Sequence, residues 1–215
     1  MATLRAGSPL GCAAVKPPRT RSRPLLAQLL ASFPSTLPDR SPERMGQTVC
    51  GLDTIQQAME RLPQGVRRLA VQLRLDLDPT WLWTVLTDYE HLHDFIPNLA
   101  SSRVLWRRHR QVALEQVGCQ QFCGLRFSAR VQLELSEDPE QGRLRFRMLE
   151  GDFRCFEGSW CVGADATSSW LLYELTVQGK PGMPIGLIEQ RLQQDLASNL
   201  RGVQREALRR AGRIV

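Results

Sequence analysis

The chain has 215 residues, of which 42% are hydrophobic and 23% charged. That length allows one ordinary domain with a tail, or at most two small domains, and excludes a large multidomain enzyme. The composition is that of an average folded chain, which excludes wholesale disorder, and no apolar run reaches the roughly 18 residues that span a bilayer.

A net charge of +6 suggests nucleic acid until the charge is located. Residues 1–44 hold seven basic groups (Arg5, Lys16, Arg19, Arg21, Arg23, Arg40 and Arg44) against Asp39 and Glu43, so this stretch carries +5 and the remainder +1. A nearly neutral domain lacks the positive excess that feeds non-specific phosphate affinity, and no nucleic-acid partner is expected. Residues 1–45 are also rich in Pro and Ser, which fits a disordered tail, upstream sequence from an early start codon with Met45 as the true start, or an Arg-rich, acid-poor transit peptide. The expected location is the cytoplasm, with peripheral membrane contact, or an organelle under the transit-peptide reading. The apolar piece 25–30 is too short for a signal-peptide core. After Met45 a myristoylation-like start fails, because Cys50 stands where Ser or Thr is required.

Residues 46–65 form a short lead-in, with a helical pattern over 52–62 that Pro63 and Gly65 break. Leu69, Val71, Leu73, Leu75 and Leu77 then alternate with Ala70, Gln72, Arg74 and Asp76, the period of a strand with one buried side. Asp78 followed by Pro79 predicts a capped short helix carrying Trp81, Trp83, Val85 and Leu86. Trp81 and Trp83 lie about 200° apart on it, so Trp83 is expected inside and Trp81 partly exposed. A second short helix is expected over 89–96, ended by Pro97.

Strands are expected over 103–108, 112–118, 121–135, 143–148, 152–162 and 169–178, joined by hairpins into an antiparallel sheet. Past Pro184 the period changes. Ile185, Ile188, Leu192, Leu196, Asn199, Val203 and Ala207 recur every three or four residues, which marks one amphipathic helix of about 26 residues, long enough at about 39 Å to cross a sheet. Asn199 is the polar intruder on its apolar face.

The run DPTWLWTVLTDYEHLHDFIPNLASSRVL at 78–105 resembles the polyketide cyclase/dehydrase and coenzyme Q-binding branch of the START-like superfamily, in a form similar to cyanobacterial and plastid members. Phe156-Glu157-Gly158-Ser159-Trp160 and the Pro-rich approach to the last helix extend the resemblance over about 66–212. Asp78-Pro79 departs from the Ala-Pro common in that family and supplies a better cap. The resemblance implies an α+β helix-grip fold: a curved antiparallel sheet of about seven strands around a long C-terminal helix, with two short helices after the first strand.

Leu125, Phe127, Val131, Phe146, Met148, Leu171, Tyr173, Ile188 and Leu192 are the inward positions. The same period serves a filled core or a pocket, and the resemblance implies a pocket for a quinone, isoprenoid or lipid, with an entrance near Phe95-Ile96-Pro97 and Gly182-Met183-Pro184. Binding and transfer of an apolar small molecule is the expected function. The alternatives are a cyclase or dehydratase using inward Glu157, Glu174 or Tyr173 as acid or base, with Phe153, Cys155, Ser159 and Cys161 on the Glu157 face, and a ligand-free interaction module. Glu115 could likewise serve as acid or base if inward, but all three glutamates are expected to face solvent or pair with Arg of a neighbouring strand, and the row Arg143, Arg145 and Arg147 to form a solvated outer face.

No catalytic set, cofactor or metal site is expected. His91 and His93 diverge on their helix, His109 sits in a turn, and Gly179-Lys180-Pro181 lacks the remaining residues of a phosphate loop. The six cysteines show no zinc-ribbon spacing and are expected as reduced, structural thiols.

Overall fold

The computed structural model describes residues 53–122, 125–183 and 185–213. The expectations for the tail, Cys12, Cys50, Cys123 and Pro184 fall outside the described residues.

The lead-in is a strand and not a helix. Ile55 and Met59, four apart, share a face in either conformation, so their spacing alone does not choose between the two. Pairing decides: β1 (Ile55–Arg61) runs antiparallel to β2 (Arg67–Leu75), from Ile55 opposite Leu73 to Arg61 opposite Arg67. Gln64 and Gly65 adopt left-handed φ of 60° and 76° in the tight connection, which turns a helix-like punctuation into a hairpin.

Asp78 caps α1 (Pro79–Leu86) by accepting the Thr80 N–H at 2.8 Å, and Leu82, Val85 and Leu86 are buried. Trp83 packs against the core while Trp81 stays 39% exposed. A single 3-10 turn (Tyr89–His91) leads into α2 (Leu92–Phe95). Six strands follow: β3 (Leu99–Arg108), β4 (Gln111–Phe122), β5 (Leu125–Asp138), β6 (Arg143–Gly151), β7 (Phe153–Ala164) and β8 (Ser169–Gly179). The chain closes with α3 (Ile185–Arg210). All eight strands form one antiparallel sheet in the order β1-β2-β8-β7-β6-β5-β4-β3, one strand more than expected because β1 joins it.

Two parts of the family-like sequence prove to be anchors. Asp88 lies 2.7 Å from His91 Nδ1 and accepts a 2.7 Å bond from Arg210 on α3, and Arg210 in turn donates to Glu206 at 2.6 Å. Tyr89 donates to Glu137 of β5 at 2.7 Å, and Arg107 reaches the same carboxylate at 2.9 Å. Asn98 takes a left-handed φ of 63°, and its amide donates to Asp195 of α3 at 3.1 Å. These bonds seat the short helices between the sheet and the end of α3.

The network implies a pH dependence. Hydrogen bonds from Arg209 first, and then Arg210, outweigh partial burial and hold the Glu206 carboxyl down at about 2. Burial pushes the Asp88 carboxyl up, but the bonds from His91 and Arg210 together leave it below the ordinary range. Asp88 in turn raises His91, through its hydrogen bond and its charge. Depressed carboxylates contribute stability that is complete above their unfolded pKa and lost as pH falls through the folded one. A raised histidine contributes stability that is complete below its unfolded pKa and lost as pH rises through the folded one. Thermal melts should therefore show a midpoint falling between about pH 4.5 and 2, and Glu206→Gln should flatten that acid limb. An acid limb of unchanged slope in the variant would remove Glu206 from the account.

Candidate functional site

The inner face of the sheet divides into two unequal halves. α3 packs mainly on β1, β2 and β8, together with α1 and α2. Beneath it Leu69, Val71, Leu73, Leu171, Leu175 and Val177 are sealed from solvent, and Leu196, Leu200, Val203 and Ala207 close on them from the helix. Over β6 and β7 the wall is different. Met148, Phe153, Phe156 and Trp160 face the same interior and belong to the same cluster, yet each remains only half-buried.

This second half is aromatic. Trp160 and Tyr173 stack with ring centroids 4.1 Å apart and planes at 8°. Phe146 lies 5.8 Å from Phe156 and 5.9 Å from Tyr173, and Phe153 lies 5.4 Å from Phe156, all in the tilted arrangements that aromatic pairs favour. The motif at 156–160 explains the layout. Phe156, Gly158 and Trp160 point inward by strand alternation, and Gly158 stands opposite Phe146 across the ladder. A Cβ at Gly158 would meet the tip of the Phe146 ring at 2.7 Å, so the missing side chain is what admits the ring.

Six of the expected inward residues gather in this interior. Val131, Phe146, Leu171 and Tyr173 are buried, and Met148 and Leu192 are half-buried against them. Leu171 belongs to the sealed half, and Phe146, Met148 and Tyr173 belong to the aromatic one. Leu125 and Phe127 lie on β5 and Ile188 on α3, with side chains outside those described. Phe153, Phe156 and Trp160 are wall residues that alternation along β7 had not assigned to the site. Phe156 and Trp160 were legible as in-phase partners of Gly158. Phe153 was not, because an irregularity between Phe153 and Cys155 shifts the register and moves it from the expected Glu157 face to the inner one.

The glutamates that the cyclase alternative needs inward do not reach this wall. Glu157 pairs in register with Thr176 and Arg147 on the outer face and is exposed. Glu174 lies on that face too and accepts a 3.2 Å bond from Ser159. Glu115 is held by Arg130 and Arg103, whose bonds outweigh burial and depress its carboxyl. The row Arg143, Arg145 and Arg147 lines an outer groove of about 540 Å³ with Glu134, Glu157 and Glu174. Strand alternation puts these groups and Tyr173 on opposite sides of one sheet. Of the three groups named for the cyclase alternative only Tyr173 faces inward, and burial raises its hydroxyl above the ordinary range.

Two further features border the interior. Phe95, Ile96, Pro97 and Leu99 line a cleft of about 500 Å³ against Gly202, Arg205 and Glu206 of α3, and Gly202 is required there because a Cβ would lie 2.2 Å from the Phe95 carbonyl oxygen. At the other end of α3, Lys180 donates to the Gly151 carbonyl at 2.8 Å and ties the loop before the helix to the β6–β7 turn. Cys155 and Cys161 carry free thiols, and burial raises that of Cys155.

The family model described as polyketide cyclase / dehydrase and lipid transport matches residues 75–201. The chain belongs to this family. Its description covers the handling of lipids and of polyketides, both hydrophobic small molecules. Solved structures share the START-like fold. The Zhui aromatase/cyclase from Streptomyces is 17% identical with a TM-score of 0.60, covering 68% of this chain and 96% of its own. The TTHA0849 protein from Thermus thermophilus is 22% identical with a TM-score of 0.58, covering 66% and 97%. A STAR-related lipid transfer protein from Xanthomonas axonopodis is 14% identical with a TM-score of 0.56, covering 70% and 98%. No curated protein gives a significant match.

Proposed function

We propose that the protein binds a hydrophobic small molecule, a quinone, isoprenoid or lipid, against the aromatic wall of the inner face and carries it unchanged. The observation that supports this is the asymmetry of the interior: α3 seals the β1-β2-β8 half, while Met148, Phe153, Phe156 and Trp160 keep accessible apolar surface on the same concave side. Large aromatic faces left partly open inside a fold are what a cargo with rings or methyl branches would cover. Covering about 200 Å² of such surface with a roughly equal face of the cargo contributes about 10 kcal/mol, and an association cost of about 4 kcal/mol leaves a dissociation constant of tens of micromolar.

A carrier fits this wall better than a cyclase. Glu157 and Glu174 lie on the outer face, and a tyrosine whose pKa burial has raised is a poor general base at neutral pH. Titration of the full chain with N-phenyl-1-naphthylamine tests the reading. One-to-one binding with a blue shift of the probe, and quenching of tryptophan emission as Trp160 meets the ring, are the expected results. Failure of the folded protein to bind the probe in the micromolar range would overturn it.

A further inference from the structure

Asn199 is a polar side chain on the apolar face of α3. Asn199 follows Leu196 by three residues and precedes Val203 by four, so it lies on the face that these two buried residues share. Arg201 and Gln204 bond to Asp53 beside β1 from another edge of the helix, whereas Asn199 stands one turn from Asp195, which bonds to Asn98 at the start of β3. The Asn199 edge of the helix is thus turned from β1 toward the half of the interior that α3 does not seal. Its Oδ1 is fully enclosed and has no hydrogen-bond partner among the described residues. The Tyr173 hydroxyl, on the aromatic wall, also makes no hydrogen bond with a described residue.

An orphaned amide oxygen inside a protein costs its full desolvation, and a leucine at 199 would avoid that cost and fill the helix face. Asn199 therefore weakens the fold for some return, and its position against the open half indicates what the return is. We propose that Asn199 reads a hydroxyl on the cargo, so that the protein selects hydroxylated hydrophobic molecules, phenols or terpenoid alcohols, over hydrocarbons of the same shape. The inference rests on the carrier reading above. A hydroxyl suits the site whichever way the amide is turned, because it both donates and accepts, whereas a quinone carbonyl only accepts.

The test uses two probes of nearly equal volume, 2-naphthol and 2-methylnaphthalene, titrated into the full chain and into Asn199→Leu. Replacing the amide should shift the ratio of the two dissociation constants roughly tenfold against the naphthol, the worth of about one hydrogen bond, with the methylnaphthalene affinity kept. Asn199→Ala, which removes the amide without adding bulk, should shift the ratio in the same direction. The melting midpoint of Asn199→Leu should equal or exceed that of the parent. An unchanged ratio in variants that still bind both probes would overturn the hydroxyl preference and leave the carrier standing. If the unaltered protein binds neither probe, the carrier reading fails and this inference fails with it.

Discussion

Gly158→Ala should destabilise the protein by about 3 kcal/mol, the upper end of what overpacking costs, and should also disturb the aromatic wall. A Cβ there would lie 2.0 Å from the Glu174 carbonyl oxygen on β8 and 2.7 Å from the Phe146 ring on β6. The first clash is with backbone in the sheet ladder and has no rotamer solution, so the β7–β8 pair must spread. The second pushes Phe146 toward the interior, where it would take space from a cargo. Urea unfolding measures the stability and near-ultraviolet circular dichroism reports the aromatic packing. A midpoint within error of the parent would show that β7 can give way locally, and Gly158 would no longer explain how Phe146 reaches the wall.

Trp160→Ala is expected to cost both stability and affinity. The indole stacks on Tyr173 at 4.1 Å and is half-buried, so its removal should cost about 2 to 3 kcal/mol, below the range for a fully enclosed tryptophan. N-phenyl-1-naphthylamine should bind at least about tenfold more weakly, because the largest flat surface of the wall is gone. Trp160→Phe should restore most of the stability and part of the affinity. If the alanine variant folds and binds the probe as well as the parent, the ligand surface is not the β6–β7 wall. The two substitutions act on different terms: Gly158→Ala adds atoms where backbones meet, and Trp160→Ala removes atoms from the surface a cargo would touch.

The family-like stretches separate into two kinds once folded. Asp88, Tyr89 and Asn98 lie in the stretch that carries the resemblance, and each bonds to a distant element and seats a short helix. Phe156, Gly158 and Trp160 look like an ordinary strand, and they form the wall. Local sequence carries the chemistry of a side chain but not the identity of what it meets across the sheet. Glu157 and Glu174 illustrate the same point, because a carboxylate on a strand is equally ready to face a pocket or solvent until the neighbouring strands set the phase.

What the amino-acid sequence determined by itself is whatever depends on neighbours a few residues away. The two-residue period from Leu69 to Leu75, the Asp78-Pro79 start of α1 and the three-to-four-residue period of α3 all describe one element against solvent, and each appears in the structure. Only the tertiary structure decided that 55–61 is a strand, since pairing with β2 outweighs a pattern compatible with both periods. It alone turned Phe153 inward, through an irregular register against β8, and it alone set α3 mainly on β1, β2 and β8 while the aromatic residues of β7 stay half-buried. The physical reason is that backbone pairing and helix placement are settled between segments distant along the chain, and the surface left over from that settlement is the candidate site.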